Sequence, residues 1–258
     1  MGGYYGTEEQ QNQQKKTDRM TDWIMNTPGA CLTGRLMSTD DPDRLGWGII
    51  DQHLSEDRIF SFRWMDTENQ AKVAEYARRK GGNVYGWDGF FAQSANLVDS
   101  IEPILTRPLP DGMLVELVNH DTVTELQVRF VEYGMAPISA AVLCGDNCRA
   151  QSLLIRDASG GIAALGFIGM LQNRFSEMAN CAWTGTIAAD ASHRGKGLGK
   201  RITSELIAAA IKDYSAESVM GFAASDNVAS CAMLQGCGLQ PHENRSLAVS
   251  LSKERYSR

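Results

Sequence analysis

The segment DASHRGKGLGKR, Asp190 to Arg201, sets Gly195, Gly197 and Gly199 alternately with Lys196, Leu198 and Lys200, directly after Arg194. Glycine lets a backbone take positive φ and lie close to a ligand, so such a turn can aim several N–H groups at one anion. A helix starting there adds unsatisfied amides and the positive end of its dipole, which makes a phosphate or pyrophosphate the natural guest. Arg194, Lys196 and Lys200 add full charges. A bare G-x-G-x-G also fits an ordinary strand-to-helix turn. Two known phosphate motifs are excluded: Gly199-Lys200 is followed by Arg201 and lacks the Walker spacing, and no G-x-G-x-x-G can be drawn through the segment.

The elements that must hold this turn are legible around it. Behind it, Leu198, Ile202, Leu206 and Ala209 or Ala210 fall on one stripe, with Ile207, Ile211 and Tyr214 beside it, which predicts a helix from about Gly197 to Tyr214. Ahead of it, NCAWTGTIAAD reads as a strand. Upstream, MLVELV (Met113 to Val118) reads as a strand and DTVTELQVRFVEYG as a helix opened by Asp121 or Thr122; QSLLIRD and GIAALGFIGML form two strands joined by ASGG. Downstream come the strand SVMGFAA, a short helix from Asn227 and a final strand RSLAVSL. The order is β-α-β-β-β-α-β-α-β, its last parallel step containing the glycine turn.

Placed so, Arg194 to Gly199 resembles the Arg/Gln-x-x-Gly-x-Gly/Ala signature of the GNAT superfamily of N-acetyltransferases. NVASCAMLQGCGL, Asn227 to Leu239, is similar to that family's Asn-x-x-Ala…Gly-Phe segment, with Ser230 for Ala and Leu239 for Phe. The resemblance covers about residues 112 to 252. It implies an α+β fold with a GNAT-like mixed sheet of six or seven strands flanked by helices, and acetyl-CoA as cosubstrate without a metal. It places the pyrophosphate on Arg194, Gly195, Lys196, Gly197, Leu198, Gly199 and Lys200, and the pantetheine along Ile187, Ala188 and Ala189, with Asn227 and the Ser230 turn beside it. The implied chemistry is direct attack of a primary amine, small-molecule or peptide, on the thioester.

Such a reaction needs a deprotonated amine, donors for the oxyanion and a proton for the departing thiolate. The family's usual tyrosine acid, seven residues after Asn227, is replaced by Leu234, and the strand stretch that often carries a Glu base reads Trp183-Thr184-Gly185-Thr186. Glu177 and Cys231 are the nearest catalytic candidates, against the plainer readings of a solvated carboxylate and a buried thiol. His193 reads as a ring beside the phosphate loop, and Trp183 as core or cleft wall. The departures leave a second reading, a non-catalytic acyl-CoA-binding sensor or structural module.

Bulk properties bound the rest. The 258 residues are 43% apolar with a net charge of −6. Residues 1 to 111 hold 17 acids against 12 bases and residues 112 to 258 hold 14 against 13, which speaks against a nucleic-acid surface. If the acidic first half borders the cleft, it favours a cationic acceptor such as a polyamine. No apolar run approaches a membrane span, and a cytoplasmic protein is the default expectation. Six cysteines without secretory features read as free thiols, and the scattered histidines offer no zinc spacing. A homodimer stays open.

The organisation expected is a mobile tail over 1–20, an N-terminal α/β region over 21–108 that is of unknown role or a diverged GNAT repeat, a boundary at TRPLPDG, and an acyl-CoA domain over 112–252. Within the N-terminal region, DTENQAKVAEYARRKGG predicts a helix with Thr67 and Gln70 at capping-box spacing and Gly81-Gly82 as its stop. GFFAQSANLVDSIEPIL predicts a second helix, ending near Pro103.

Overall fold

A computed structural model of the chain describes residues 3–252. The elements run α1 (Glu8–Asn26), β1 (Ala30–Leu32), β2 (Met37–Thr39), α2 (Pro42–Leu45), α3 (Trp47–Asp57), β3 (Ile59–Met65), α4 (Thr67–Lys80), β4 (Asn83–Gln93) and α5 (Ser94–Leu105). They continue β5 (Leu114–Leu117), α6 (Val123–Glu132), α7 (Ala140–Leu143), β6 (Ala150–Arg156), β7 (Ile162–Gly169), β8 (Cys181–Ala189), α8 (Leu198–Tyr214), β9 (Ser218–Ala223), α9 (Val228–Gly236) and β10 (Gln240–Ser250). Among the described residues the strands form one ten-stranded mixed sheet in the order β1-β2-β3-β10-β4-β9-β8-β7-β6-β5.

That order hides a doubled plan. Strands β8 and β9 are parallel and joined through α8, then α9 leads to β10. Strands β2 and β3 are likewise parallel and joined through α2 and α3, then α4 leads to β4. The two closing strands are exchanged. Strand β4 lies antiparallel against β9 of the second unit, while β10 lies antiparallel against β3 of the first, and the two pair with each other from Gln240↔Phe91 to Ser250↔Asn83. The six strands of residues 112–252 are therefore completed by a seventh from the N-terminal unit. The Pro/Gly stretch at 106–112 is a turn in the chain; the sheet itself runs on across the two units.

The face of the sheet carrying Ala182, Val219, Phe90 and Ala92 packs against Ile202, Leu206 and Ile207 of α8 and Leu97 and Ile101 of α5. Alternation sends Trp183, Met220 and Phe167 to the other face, in a core shared with Leu126 and Phe130 of α6. The α8 stripe thus forms as its spacing predicts, with Leu198, Ile202, Leu206, Ile207 and Ala210 buried.

Three expectations are corrected. Residues 8–26 form a helix where a mobile tail over 1–20 was expected. Most of its buried side chains are polar: beside Ile24, with Met20 and Met25 packed on the core, Gln13, Gln14, Thr17 and Thr21 are buried, Thr17 Oγ1 donates to the Arg35 carbonyl at 2.9 Å, and Asp18 accepts from Ser139 and Asn147. Hydrogen bonds to distant backbone replace the aliphatic stripe that would mark a docked helix in a sequence. The helix at 67–80 is capped by Asp66, which accepts from the Asn69 amide at 2.8 Å, and Gln70 reaches instead to the Met65 and Glu243 carbonyls. The segment expected to begin a helix at Gly89 continues β4 to Gln93. There Gly89 is held by close approach, since a Cβ would stand 2.1 Å from the Asn244 carbonyl oxygen. That helix, α5, runs through Pro103 to Leu105.

All six cysteines are free thiols. Among the described residues no helix is long and apolar enough to cross a membrane, and no three His, Cys, Asp or Glu side chains converge as metal ligands.

Asn173, just after β7, ties this arrangement together. Its amide nitrogen lies 2.7–2.9 Å from the carbonyls of Ile24, Thr27 and Ala30, at the junction of α1 and β1, and the side chain is buried. Asn173→Ala removes the buried donor that joins three carbonyls, of which those of Ile24 and Thr27 keep a backbone N–H from Thr27 and Ala30, and is expected to cost about 1–3 kcal/mol. A thermal melt should show a drop of up to roughly 10 °C.

Candidate active site

The glycine turn sits where the sequence places it. Asp190 opens a short 3-10 turn over Ala191–His193, the chain extends at Arg194, and Gly195 and Gly197 take φ of 77° and 78° before α8 begins at Leu198. Both glycines have open space where a Cβ would go, so their backbone angle and not crowding explains the residue type. Buried Leu198 anchors the turn from below, while Arg194, Gly195, Lys196 and Gly197 are exposed. The first intrahelical bond runs from Arg201 N–H to the Gly197 carbonyl, and the amides ahead of it have no helical acceptor. Together these form an outward-facing anion cradle.

Lys200 departs from the expected role. Its side chain crosses to α9, where a Cβ on Gly236 would lie 2.4 Å from its Nζ, which puts the charge near the negative end of that helix. Asp190 stands at the lip of the turn. Its carboxylate accepts from the Ser192 hydroxyl and amide and from Tyr133 Oη, and the Ser192 hydrogen bonds hold its pKa down to about 2. His193 bonds Ser192 Oγ at 2.8 Å and lies within 4 Å of Asp157 and Asp190, so it braces the turn.

A cleft opens beside this cradle. The parallel ladder of β8 and β9 runs from Cys181↔Ser218 to Thr184↔Gly221, and no pair follows among the described residues. Strand β8 stays paired with β7 as far as Ala189↔Ala164, and β9 stays paired with β4 through Ala223↔Asp88. The two strands therefore part after Thr184. The cause lies in β8: it carries one extra residue against β7 between Gly185 and Ala188, with Thr186 at φ 51°, a bulge that turns the strand. Ile187, Ala188 and Ala189 form one wall of the opening, half-buried and without a β9 partner.

Asn227 is on the other side. It caps α9, its Oδ1 accepting from the Ser230 amide at 3.1 Å, and α9 packs on α8 through Met233, whose Sδ is 3.5 Å from Thr203 Oγ1. The cap leaves the carboxamide nitrogen of Asn227 as a donor. Cys231 follows in the same turn, its thiol directed to the Ala224 carbonyl at 3.7 Å. Leu234 is buried against Gly221, so the position where a proton donor was sought is filled by core. Glu177 is exposed in the loop before β8, at the opposite end of that strand from the glycine turn. The structure does not bring it to the cleft; it is a solvated carboxylate.

The sequence reading missed what the N-terminal unit contributes. Arg63 of β3 reaches the far face of the sheet, its Cζ 4.7 Å from the Trp183 ring and 5.0 Å from the Phe222 ring, with Nη1 3.3 Å from Ser246 Oγ. Trp183 and Phe222 flank the point where β8 and β9 part. The signal for Arg63 in the sequence is a single basic residue inside an apolar run, IFSFRWM, which is informative only once β3 and β9 are known to share a sheet with two strands between them. The first unit's own counterpart of the glycine turn, between β2 and α3, reads Asp40-Asp41-Pro42-Asp43. Burial raises the Asp40 carboxyl and Lys72 lowers that of Asp43. Three carboxylates there oppose a phosphate, so this turn is no counterpart of the glycine cradle.

Comparison with known proteins agrees with this geometry. Residues 132–239 match the sequence model of the acetyltransferase (GNAT) family. Solved structures share the fold across both units. A GCN5-related N-acetyltransferase from Kribbella flavida has a TM-score of 0.59 at 13% identity over 92% of this chain and 95% of its own. A Drosophila protein has 0.61 at 14%, over 94% and 89%. A tandem GNAT protein from the clavulanic acid biosynthesis pathway has 0.56 at 13%, over 93% and 89%. No curated protein matches the sequence.

The bulge depends on Gly185, over which the Trp183 indole lies. A Cβ there would stand 2.2 Å from Cζ2 of Trp183. Gly185→Ala is expected to displace the indole and destabilise the fold by about 1–3 kcal/mol. Near-UV circular dichroism and a melt measure both effects.

Proposed function

Because residues 132–239 are a domain of the GNAT acetyltransferase family, an acyl-CoA N-acyltransferase family, we propose that the chain moves an acetyl group from acetyl-CoA to a primary amine by direct attack. The observation that carries this reading is the opening of β8 from β9 after Thr184↔Gly221, beside the glycine cradle at the head of α8. A long ligand with an anionic end fits both features at once. The pyrophosphate rests on the amides from Gly195 to Gly199 with Arg194 and Lys196 beside it. The pantetheine lies along Ile187, Ala188 and Ala189, whose backbone lacks a β9 partner and pairs with its amides, and the carboxamide of Asn227 faces it from α9.

The thioester then ends where the strands meet, near Thr184 and Gly221. The free amine attacks its carbonyl carbon, a β8 backbone N–H stabilises the oxyanion, and the C–S bond breaks as the C–N bond forms. Lys200, turned to α9, adds to the cradle only through its amide.

A second reading has one specific observation in its favour: Leu234 fills the place of a proton donor, and β8 carries no carboxylate into the gap. A site so equipped could hold acyl-CoA without turnover. Thiol release over a panel of primary amines separates the two, since steady release excludes a sensor.

Gly197→Glu puts a carboxylate and a side chain at φ 78° into the cradle. It is expected to weaken acetyl-CoA binding at least ~100-fold in calorimetry, with the melting temperature in buffer lowered by only a few degrees. Wild-type affinity in this variant would overturn the assignment of the cradle.

A further inference from the structure

Strands β8 and β9 form a fork, and the far face of the sheet is built around its vertex. Trp183 stands one residue before the last ladder pair, Thr184↔Gly221, and Phe222 stands one residue after it. Gly185 leaves no side chain on that face, and the indole of Trp183 lies over it: a Cβ there would be 2.2 Å from Cζ2 and 2.8 Å from Cη2. The guanidinium of Arg63, from β3 of the N-terminal unit, covers both rings, its Cζ 4.7 Å from Trp183 and 5.0 Å from Phe222. One planar cation thus touches both arms of the fork where they separate.

Stacking and packing fix the indole. Its Nε1 is buried and makes no hydrogen bond, so no polar contact sets the angle of the ring. Arg63 and Trp183 are each 8% exposed, and a desolvated contact between cation and ring is the stronger kind. Arg63 is held in its turn by β10, with Nη1 3.3 Å from Ser246 Oγ, and Phe167 of β7 adds a tilted ring 5.8 Å from Trp183. The backbone under the indole is the part of β8 with the least freedom to shift unnoticed. Gly185 begins the bulge, and Thr186 after it sits at φ 51°. A non-glycine residue in that region persists only where its surroundings hold it there.

We propose that Arg63 is a positioning residue for acyl transfer: through Trp183 and Phe222 it sets the vertex of the fork, and with it the bulged β8 backbone that meets the thioester. This rests on the acyl-transfer reading above. Arg63 touches no reactant in this role. The vertex decides where the thioester stops, and the bulge decides where the N–H groups beyond Thr184 point. A donor displaced by about 1 Å loses most of its effect on the transition state, while the cradle at the head of α8 goes on holding the pyrophosphate. The N-terminal unit thereby contributes geometry to a reaction whose contacts are made by the C-terminal one.

The test uses the full chain. Arg63→Met keeps a long apolar side chain and removes the planar cation; Arg63→Lys keeps the charge without the plane. Amide hydrogen exchange is read by mass spectrometry on peptides from residues 183–189 and from α8. In Arg63→Met, exchange over 185–189 is expected to rise at least ~10-fold with α8 unchanged, and acetyl-CoA affinity in calorimetry to stay within about threefold. In thiol release over a panel of primary amines, kcat is expected to fall roughly 30-fold with KM for acetyl-CoA nearly constant, and Arg63→Lys to recover part of the loss. In a Trp183→Leu background the same Arg63→Met change is expected to cost less than about threefold in kcat, because Arg63 acts through that ring. Arg63→Lys carries the exchange measurement if Arg63→Met does not fold, with a rise of about threefold expected over 185–189. Failure of the wild type to bind acetyl-CoA, or to release thiol with any amine, overturns the acyl-transfer reading and this inference with it. With both intact, unchanged exchange over 185–189, a rise spread equally over the chain, or full additivity with Trp183→Leu overturns this inference alone.

Discussion

The ladder between β4 and β10 is the contact on which the rest of the molecule depends. Each strand closes the sheet of the unit it does not belong to: β4 shields the edge of β9, and β10 shields the edge of β3. A sheet edge left open is a row of unpaired donors and acceptors, so neither unit can stand alone with its edge satisfied. The exchange also explains the irregular features near the middle of the sheet. The β10 register shifts between His242 and Arg245, and the displaced carbonyl of Asn244 presses on Gly89, where only a residue without Cβ fits. Asn244 in turn bonds the carbonyl of Trp64, the residue at φ 58° in β3, so three strands are locked at one point.

The same exchange distributes labour over the doubled plan. The C-terminal unit keeps the glycine cradle and the bulged β8 that opens the cleft. The N-terminal unit has carboxylates at its corresponding turn and puts a guanidinium at the cleft's far mouth. Strands β10 and β4 stand between β3 and β9, and Arg63 lies against the Trp183 and Phe222 rings.

What the sequence disclosed follows from how each half earns its order. The C-terminal half has helices with clean apolar stripes and strands of continuous apolar residues, so its element order, the turn and the Asn227 cap are legible from spacing. The N-terminal half is written differently. Strand β4, NVYGWDGFFAQ, contains two glycines and an aspartate that resemble turn residues, and its identity depends on β9 and β10, which lie more than 120 residues away. Helix α1 is docked by glutamines and threonines that read as solvent-facing. Glu177 was drawn in by nearness in sequence to β8, yet four residues before a strand's first end is the wrong end when the site lies past its middle. Arg63 could be placed only by strand order, which no local pattern encodes.

The strand exchange also bears on how the chain comes into being. During synthesis β4 emerges well before β9 and β10, and β3, ending at Met65, waits for a neighbour that begins only at Gln240. The first unit cannot complete its sheet while the second is still being translated, so its edges stay open through most of the nascent chain's life. Order in the two units must then arise together and late, governed by long-range pairing and not by one domain folding ahead of the next. For this protein the ribosome must deliver strands of both units before either sheet is complete.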